Sequence, residues 1–296
     1  MIFNLNYKKP IIISEIGCNH KGNIEIAKEL IKLSKEAGCN VAKFQKRNSK
    51  ELLTKEQYDA PHPNPVNSYG LTYGEHREAL EFTKDQHKEL QIFCKSIGID
   101  YSTSVWDKTS AYEIVELNPS FIKVPSACNN YFEMLKILRD DYKGDVHISF
   151  GMTYKAEEEE IIKFFEETNQ AKNRLVVYSC TSGYPVPFED ICLLEIVNLY
   201  KKYSSRVKEI GFSGHHLGIA IDISAYTLGA VYIERHFTKD RTWKGTDHAA
   251  SLEFVGMQKL CRDLLATHSA LTYKNEEILD IEKEQRAKLK YREKNK

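Results

Sequence analysis

Short apolar runs, rich in β-branched residues, alternate along this chain with longer stretches in which apolar positions recur every three or four residues. The short runs begin near residues 11 (IIISEI), 40 (NVAKFQ), 99 (IDYSTSV), 120 (SFIKVP), 146 (VHISF), 175 (LVVYSC), 209 (EIGFS) and 230 (AVYIERHF). Most are too short for helices, and several lack strict alternation, which is the pattern of parallel strands buried on both faces. Between them, residues 23–37 place Ile24, Ala27, Leu30, Ile31 and Ser34 on one face, with Asn23 as N-cap and Gly38 as the stop. Residues 83–97 open on a Thr83–Gln86 capping box and end at Gly98. Residues 153–168 take Thr153 as cap, with Glu157 to Glu160 complementing the positive helix end. Similar segments lie near 108–117, 130–140, 189–203, 216–229 and 252–268. Strands each followed by a helix predict an α/β fold of the (β/α)8 TIM-barrel type.

The rival architecture is an open, doubly wound sheet. Its dinucleotide fingerprint GxGxxG is absent after the first strand, where the chain reads Ile16-Gly17-Cys18-Asn19-His20-Lys21-Gly22. The one irregular spacing, from about 46 to 98, contains PHPNPVNSYGLTYGEH, an extended loop that serves as a substrate lid, as an interface or as tolerated surface. A catalytic barrel over 1–273 is expected, followed by a charged C-terminal helix or tail over 274–296.

Composition narrows the function classes. With 296 residues, 42% of them hydrophobic, the chain has material for a large core. Its 42 basic and 42 acidic residues cancel, so no overall field draws it to nucleic acid or to an anionic membrane. Seven cysteines, an odd number without a CxxC pair, read as free thiols in a reducing compartment. The opening MIFNLNYKKPIII lacks a long apolar segment of the signal-peptide kind, and the most apolar window, 218–233, is interrupted by Asp222. A cytoplasmic protein is expected.

In a barrel, the strands' carboxyl ends carry the chemistry. Those ends hold Glu15, Asn19 and His20; Lys43 and Gln45; Thr103, Ser104 and Asp107; Lys123 and Ser126; Ser149 and Gly151; Thr181, Ser182 and Tyr184; Ser213 and His215; and Glu234, His236 and Lys239. His215 and His236, at matched strand ends, suit one shared divalent metal with positions left open for substrate. Lysines within strand-like runs (VAKFQ, FIKVP) are costly unless they face a polar cavity or an anion, or reach out to water. With the serines they make a cradle for phosphate and carboxylate. The carboxylates Glu15 and Asp247 complete the set, and metal-assisted chemistry on a phosphorylated or carboxylated small molecule follows.

The ordered set SEIGCNHKG, AKFQK, TYGEHREALEF, KVPSACNN, CTSGYP, GFSGHHLGIA and ERHFTKDRTWKGTDHAASLE resembles the sialic acid synthase (N-acetylneuraminate synthase) family over nearly the whole chain. That resemblance implies condensation of phosphoenolpyruvate with N-acetylmannosamine or its 6-phosphate to give a nonulosonic acid and phosphate. It also implies a divalent metal, manganese first with magnesium or cobalt as alternatives, and a homodimer. By the same resemblance His215 and His236 match metal ligands, and Lys43, Thr103, Lys123, Ser126, Ser149, Ser182 and Ser213 match positions that hold phosphoenolpyruvate. Glu15, Gln45, Tyr184 and Asp247 fall where the family handles the sugar and the proton transfers. Synthases of legionaminic- or pseudaminic-type sugars share these motifs, and a catalytically impaired barrel kept as a binding subunit is the non-enzyme alternative. A metal-dependent barrel hydrolase ranks below both, since its His-x-His at the first strand end is absent.

Three positions depart from the family pattern. Gly214 replaces an aspartate, His216 reads as an extra ligand or as loop, and Phe150 stands in for a small hydroxyl residue that would line the phosphate side. The family usually continues into a C-terminal antifreeze-like domain. This chain stops in DIEKEQRAKLKYREKNK, so the domain is expected from a separate protein, or the sugar is bound differently, or activity is reduced.

Overall fold

The computed structural model describes residues 7–291. Eight parallel strands close into a barrel in sequence order: β1 (Ile11–Gly17), β2 (Val41–Lys46), β3 (Asp100–Val105), β4 (Phe121–Val124), β5 (Asp145–Ser149), β6 (Leu175–Cys180), β7 (Glu209–Gly214) and β8 (Tyr232–His236). The (β/α)8 expectation therefore holds. Main helices follow the strands in turn: Ile24–Ala37, Lys84–Ile97, Lys108–Leu117, Phe132–Asp140, Lys155–Glu166, Glu195–Tyr203, Ala220–Thr227 and Phe254–Ala270.

Strand side chains alternate between the barrel interior and the helix layer. Ala42, Phe44, Ile122, Val124, Val177 and Phe212 pack outward into the large strand–helix core. Ile13, Val41, Phe121, Val176, Tyr178 and Tyr232 form a separate cluster that plugs the interior. Two residues further along β1, β2 and β4 the inward positions become Glu15, Lys43 and Lys123. The plug thus turns from apolar to ionic toward the end where the site lies.

The helix ends follow local chemistry. The Asn23 carboxamide accepts from the N–H groups of Glu25 and Ile26, and Gly38 ends that helix at φ 98°. Thr83 and Gln86 form the expected box. The third cap differs: Thr153 donates to the Gly151 carbonyl at 2.7 Å, and Tyr154 is the N-cap, its N–H donating to Glu157 at 2.7 Å.

The segment between β2 and β3 is also more ordered than a loop. It contains three short helices, Ser49–Leu52, Lys55–Asp59 and Tyr73–Ala79. Thr54–Gln57 and Thr72–Glu75 boxes cap the last two. The Tyr69 hydroxyl donates to the Lys244 carbonyl at 2.5 Å, and the Gly245 N–H donates to Asn67 at 3.3 Å, fastening the segment to the loop after β8.

Within the charged C-terminal stretch, Asp280–Leu289 is helical, with no buried residue; residues 292–296 and the first six lie outside the described residues. Among the described residues no helix is long and apolar enough to cross a membrane. All seven cysteines are free thiols.

Candidate active site

The inward-facing residues at the strands' carboxyl ends enclose a well of about 300 Å³. Its floor is a buried ionic quartet. Lys43 on β2 pairs with the Glu15 carboxylate on β1, donates to Ser104 at 2.9 Å and lies 3.5 Å from Glu234 on β8. Lys123 on β4 donates to the same Glu234 oxygen at 2.7 Å, with its ammonium 4.2 Å from the Tyr178 ring centroid below. Gln45 donates to Glu15 at 3.0 Å, and Ser213 to Glu234 at 3.3 Å. Two cations and two anions balance, which is the condition for burying any of them.

The two carboxyls are shifted in opposite directions. Burial raises Glu15, and the neighbouring Glu234 charge adds to it against the pull of Lys43. Burial also works against the Glu234 anion, yet Lys123 and Lys43 outweigh it and hold that carboxyl at about 2. Burial likewise lowers Lys123, while in Lys43 the Glu15 and Glu234 charges overcome burial and raise the ammonium. Carboxyls pushed apart in this way are suited to different roles. The second oxygen of Glu234 is buried without a hydrogen-bond donor, whereas both Glu15 oxygens are engaged, one by Gln45 and the other by Lys43.

Hydroxyls line the wall next to Lys123. Ser126, Ser149, Ser182 and Ser213 all face the well. Ser126 accepts from the Gly151 N–H at 3.0 Å. A Cβ at residue 151 would lie 2.6 Å from the Ser182 hydroxyl and 2.7 Å from that of Ser126, so the close hydroxyl pair requires glycine. An ammonium among several hydroxyls is a site for phosphate or carboxylate oxygens.

Across the well, His215 and His236 bring their ring centroids within 5.4 Å. His215 Nδ1 donates to the Thr181 carbonyl at 2.9 Å, which leaves Nε2 free for a ligand. Burial, then the His236 charge, lowers His215 to about 3, so it stands as neutral imidazole. His236 Nδ1 is buried without a hydrogen-bond partner, and Asp247 Oδ2 lies 3.9 Å from it. The Tyr184 ring packs 4.3 Å from His215 and stands edge-on to His236 at 5.9 Å. Among the described residues no group of three or more His, Cys, Asp or Glu is arranged around a common metal position. Two imidazoles, one with an orphaned nitrogen, fit a metal that takes its remaining ligands from substrate and water.

Of the residues singled out in the sequence, Glu15, Lys43, Gln45, Lys123, Ser126, Ser149, Ser182, Tyr184, Ser213, His215 and His236 line this one well, with Asp247 beside His236. Thr103 does not. It pairs in register with outward-facing Phe44, lies between inward Ser102 and Ser104, and so turns toward the helix layer. Ser104, one residue on, occupies the inward position and holds Lys43. Strand parity was the signal that distinguishes the two.

Phe150 also faces outward, into the strand–helix core, and does not line the phosphate side of the well. His216 is not beside the metal candidates. It accepts from Arg235 at 2.9 Å and lies 3.3 Å from Asp222, in a buried network outside the barrel. Gly214 is confined by neighbouring rings, since a Cβ there would lie 2.8 Å from both His216 and Phe212. Glu234 and Trp106, given no role from the sequence, both line the well.

Comparison with known proteins gives the family and the fold. Residues 30–276 match the NeuB family. Over 272 residues the chain is 38% identical to the N-acetylneuraminate-9-phosphate synthase of Mus musculus, covering 92% of this chain and 74% of that protein. It is 30% identical to the N,N'-diacetyllegionaminic acid synthase of Campylobacter jejuni, over 89% of this chain and 78% of that one. A crystal structure of the N-acetylneuraminic acid (sialic acid) synthetase of Leptospira borgpetersenii, in complex with citrate, superposes with a TM-score of 0.79 at 25% identity. That match covers 99% of this chain and 97% of the other.

Proposed function

The chain belongs to the NeuB family, and from that premise we propose that it condenses phosphoenolpyruvate with N-acetylmannosamine or its 6-phosphate, giving a nonulosonic acid and inorganic phosphate. The observation that carries this reading is the buried quartet Glu15–Lys43–Glu234–Lys123 between a hydroxyl cradle and a pair of imidazoles.

The enolpyruvyl ester carries phosphate and carboxylate on one small frame. Lys123 with Ser126, Ser149, Ser182 and Ser213 binds these anionic groups, and Lys43 turns from Glu15 toward the added negative charge. His215 and His236 would hold a divalent metal, manganese first and magnesium or cobalt as alternatives, which when bound supplies Lewis-acid polarisation of the sugar aldehyde. C3 of the enol ester forms a bond to the aldehyde carbon, and positive character develops at C2. The Glu234 oxygen that lacks a donor, and the Glu15 carboxylate once Lys43 turns from it, offer negative potential to that centre. Glu15, the carboxyl with the raised pKa, is the group suited to take a proton from the water that adds at C2. That proton passes to the alkoxide formed on the acceptor, and phosphate then leaves with cleavage of its C–O bond, taking up the C2 hydroxyl proton as the ketone forms. Asp247, beside His236, and Tyr184, over both imidazoles, orient the acceptor end.

The seven free thiols support the cytoplasmic setting of this reading; its homodimer rests on the family resemblance. The test is phosphate release from phosphoenolpyruvate with each sugar in turn, with Mn²⁺ and after chelation. Release with neither sugar overturns the reading.

A further inference from the structure

We propose that the segment between β2 and β3 builds a subsite for a phosphate monoester on the far end of the acceptor sugar, with Arg77 as its main contact. This rests on the synthase reading above. Trp106, at the carboxyl end of β3, forms part of the wall of the well, and its indole N–H is buried without an acceptor. Two guanidinium groups flank that indole. Arg47 lies 5.6 Å and Arg77 5.7 Å from its ring centroid. Arg47 is committed: its side chain donates to Glu81 at 2.5 Å and reaches Cys18 at 2.8 Å.

Arg77 is not committed. Half-buried on the helix Tyr73–Ala79, it rests 5.0 Å from the Tyr73 ring and makes no side-chain hydrogen bond or ion pair among the described residues. Lys244, on the loop after β8, is also without an acid partner there, and its ammonium lies 4.9 Å from the Tyr69 ring. The hydrogen bond from Tyr69 to the Lys244 carbonyl, 2.5 Å long, fixes the two loops to each other. The field at this corner is positive. Buried His76 is pushed down to about 4, first by burial and then by the charges of His62, Arg47, Arg77 and Lys244.

An acceptor with its aldehyde at the imidazole pair leaves its other end toward the mouth. Hydroxyls alone would be served by neutral donors and acceptors. Two cations held on aromatic faces without counter-ions, beside an unused indole N–H, match a dianion. A phosphate bound at this corner would give Arg77 and the neighbouring indole N–H an acceptor, with Lys244 adding positive charge from the facing loop.

The test is kcat/KM for N-acetylmannosamine and for its 6-phosphate in the wild type, Arg77→Ala, Arg77→Lys and Lys244→Ala. The wild type is expected to favour the phosphorylated sugar. Arg77→Ala is expected to lower that preference by about 10- to 100-fold, the worth of a charge-assisted contact. Arg77→Lys should restore part of it, and Lys244→Ala should lower it less. A preference unmoved by Arg77→Ala, or a wild type indifferent to the phosphate, overturns the subsite while leaving the synthase reading intact. Phosphate release with neither sugar overturns the synthase reading itself and the subsite with it.

Discussion

His215 and His236 present their rings to each other from adjacent strands, 5.4 Å between centroids, with His215 Nδ1 engaged by a carbonyl and His236 Nδ1 unsatisfied. On the proposed reading these two imidazoles supply only part of a metal's ligand set, so loss of either one weakens binding. His236→Ala should therefore lose both stoichiometric Mn²⁺ and at least about 10²–10³ of turnover. Chelation of the wild type should abolish activity, and added Mn²⁺ should restore it. Metal retained in His236→Ala with near-normal turnover would show that the ligand assignment is wrong.

Strand parity yields a paired comparison. Ser104 holds Lys43 inside the well at 2.9 Å, whereas Thr103 points to the helices. Ser104→Ala removes one contact to a charged group, about 1.5–3 kcal/mol, so KM for phosphoenolpyruvate should rise by about tenfold or more. Thr103→Val, which preserves shape in an apolar layer, should leave KM within about twofold. Steady-state kinetics on the two variants decides, and the reverse ranking would mean that Thr103 faces the substrate after all.

The barrel was readable because its buried strands and capped helices leave strong local marks, such as Asn23, Gly38 and the Thr83–Gln86 box, all of which the structure bears out. Strand-end position brought most well-lining residues within reach of sequence reasoning. What composition hides is direction. Thr103 and Ser104 are adjacent hydroxyls on opposite faces, and Phe150 follows Ser149 on the outer face, so one residue of parity separates site from packing. Glu234 was placed at its strand end but given no role, because a carboxylate within YIERH means little until Lys43 and Lys123 arrive from distant strands to neutralise it. The short helices between β2 and β3 were hidden by a proline- and asparagine-rich stretch that separates them.

Outside the barrel, Asp222 and Arg235 form a fully buried pair at 2.5 Å, with His216 Nε2 3.3 Å from the carboxylate. Removing one partner of such a pair leaves an uncompensated charge, a loss of about 3–5 kcal/mol. Asp222→Ala should lower the urea midpoint accordingly. His216→Ala should reduce stability yet keep the Mn²⁺ stoichiometry, since its ring serves Arg235 rather than the well. Loss of metal in that variant, with the fold intact by circular dichroism, would reassign His216 to the metal site.

Acid stability tests the buried imidazoles as a group. Burial holds His20 and His87 at about 3 and pushes His147 well below its ordinary value. The environments explain why. His20 stacks on Phe82 with centroids 4.0 Å apart, His87 bonds the Tyr101 hydroxyl at 2.7 Å, and His147 lies 3.9 Å from Phe121 in the barrel plug. Each folded-state pKa is depressed, so above the unfolded value near 6.5 both states are neutral and folding carries no proton-linked penalty. As pH falls below 6.5 the unfolded chain takes up protons that the folded chain refuses. Each such group then removes about 1.4 kcal/mol of stability per pH unit until the folded group itself titrates, near 3 for His20 and His87. Glu15 has the opposite linkage, because its raised pKa makes folding less favourable as pH rises past its unfolded value near 4.5. Three imidazoles outweigh that one carboxyl between pH 6.5 and 5. The urea midpoint should fall steeply over that interval, and His20→Gln should flatten the slope by about one proton's worth. A midpoint that stays level from pH 7.5 to 5 would mean that these rings titrate freely and are not sealed from water.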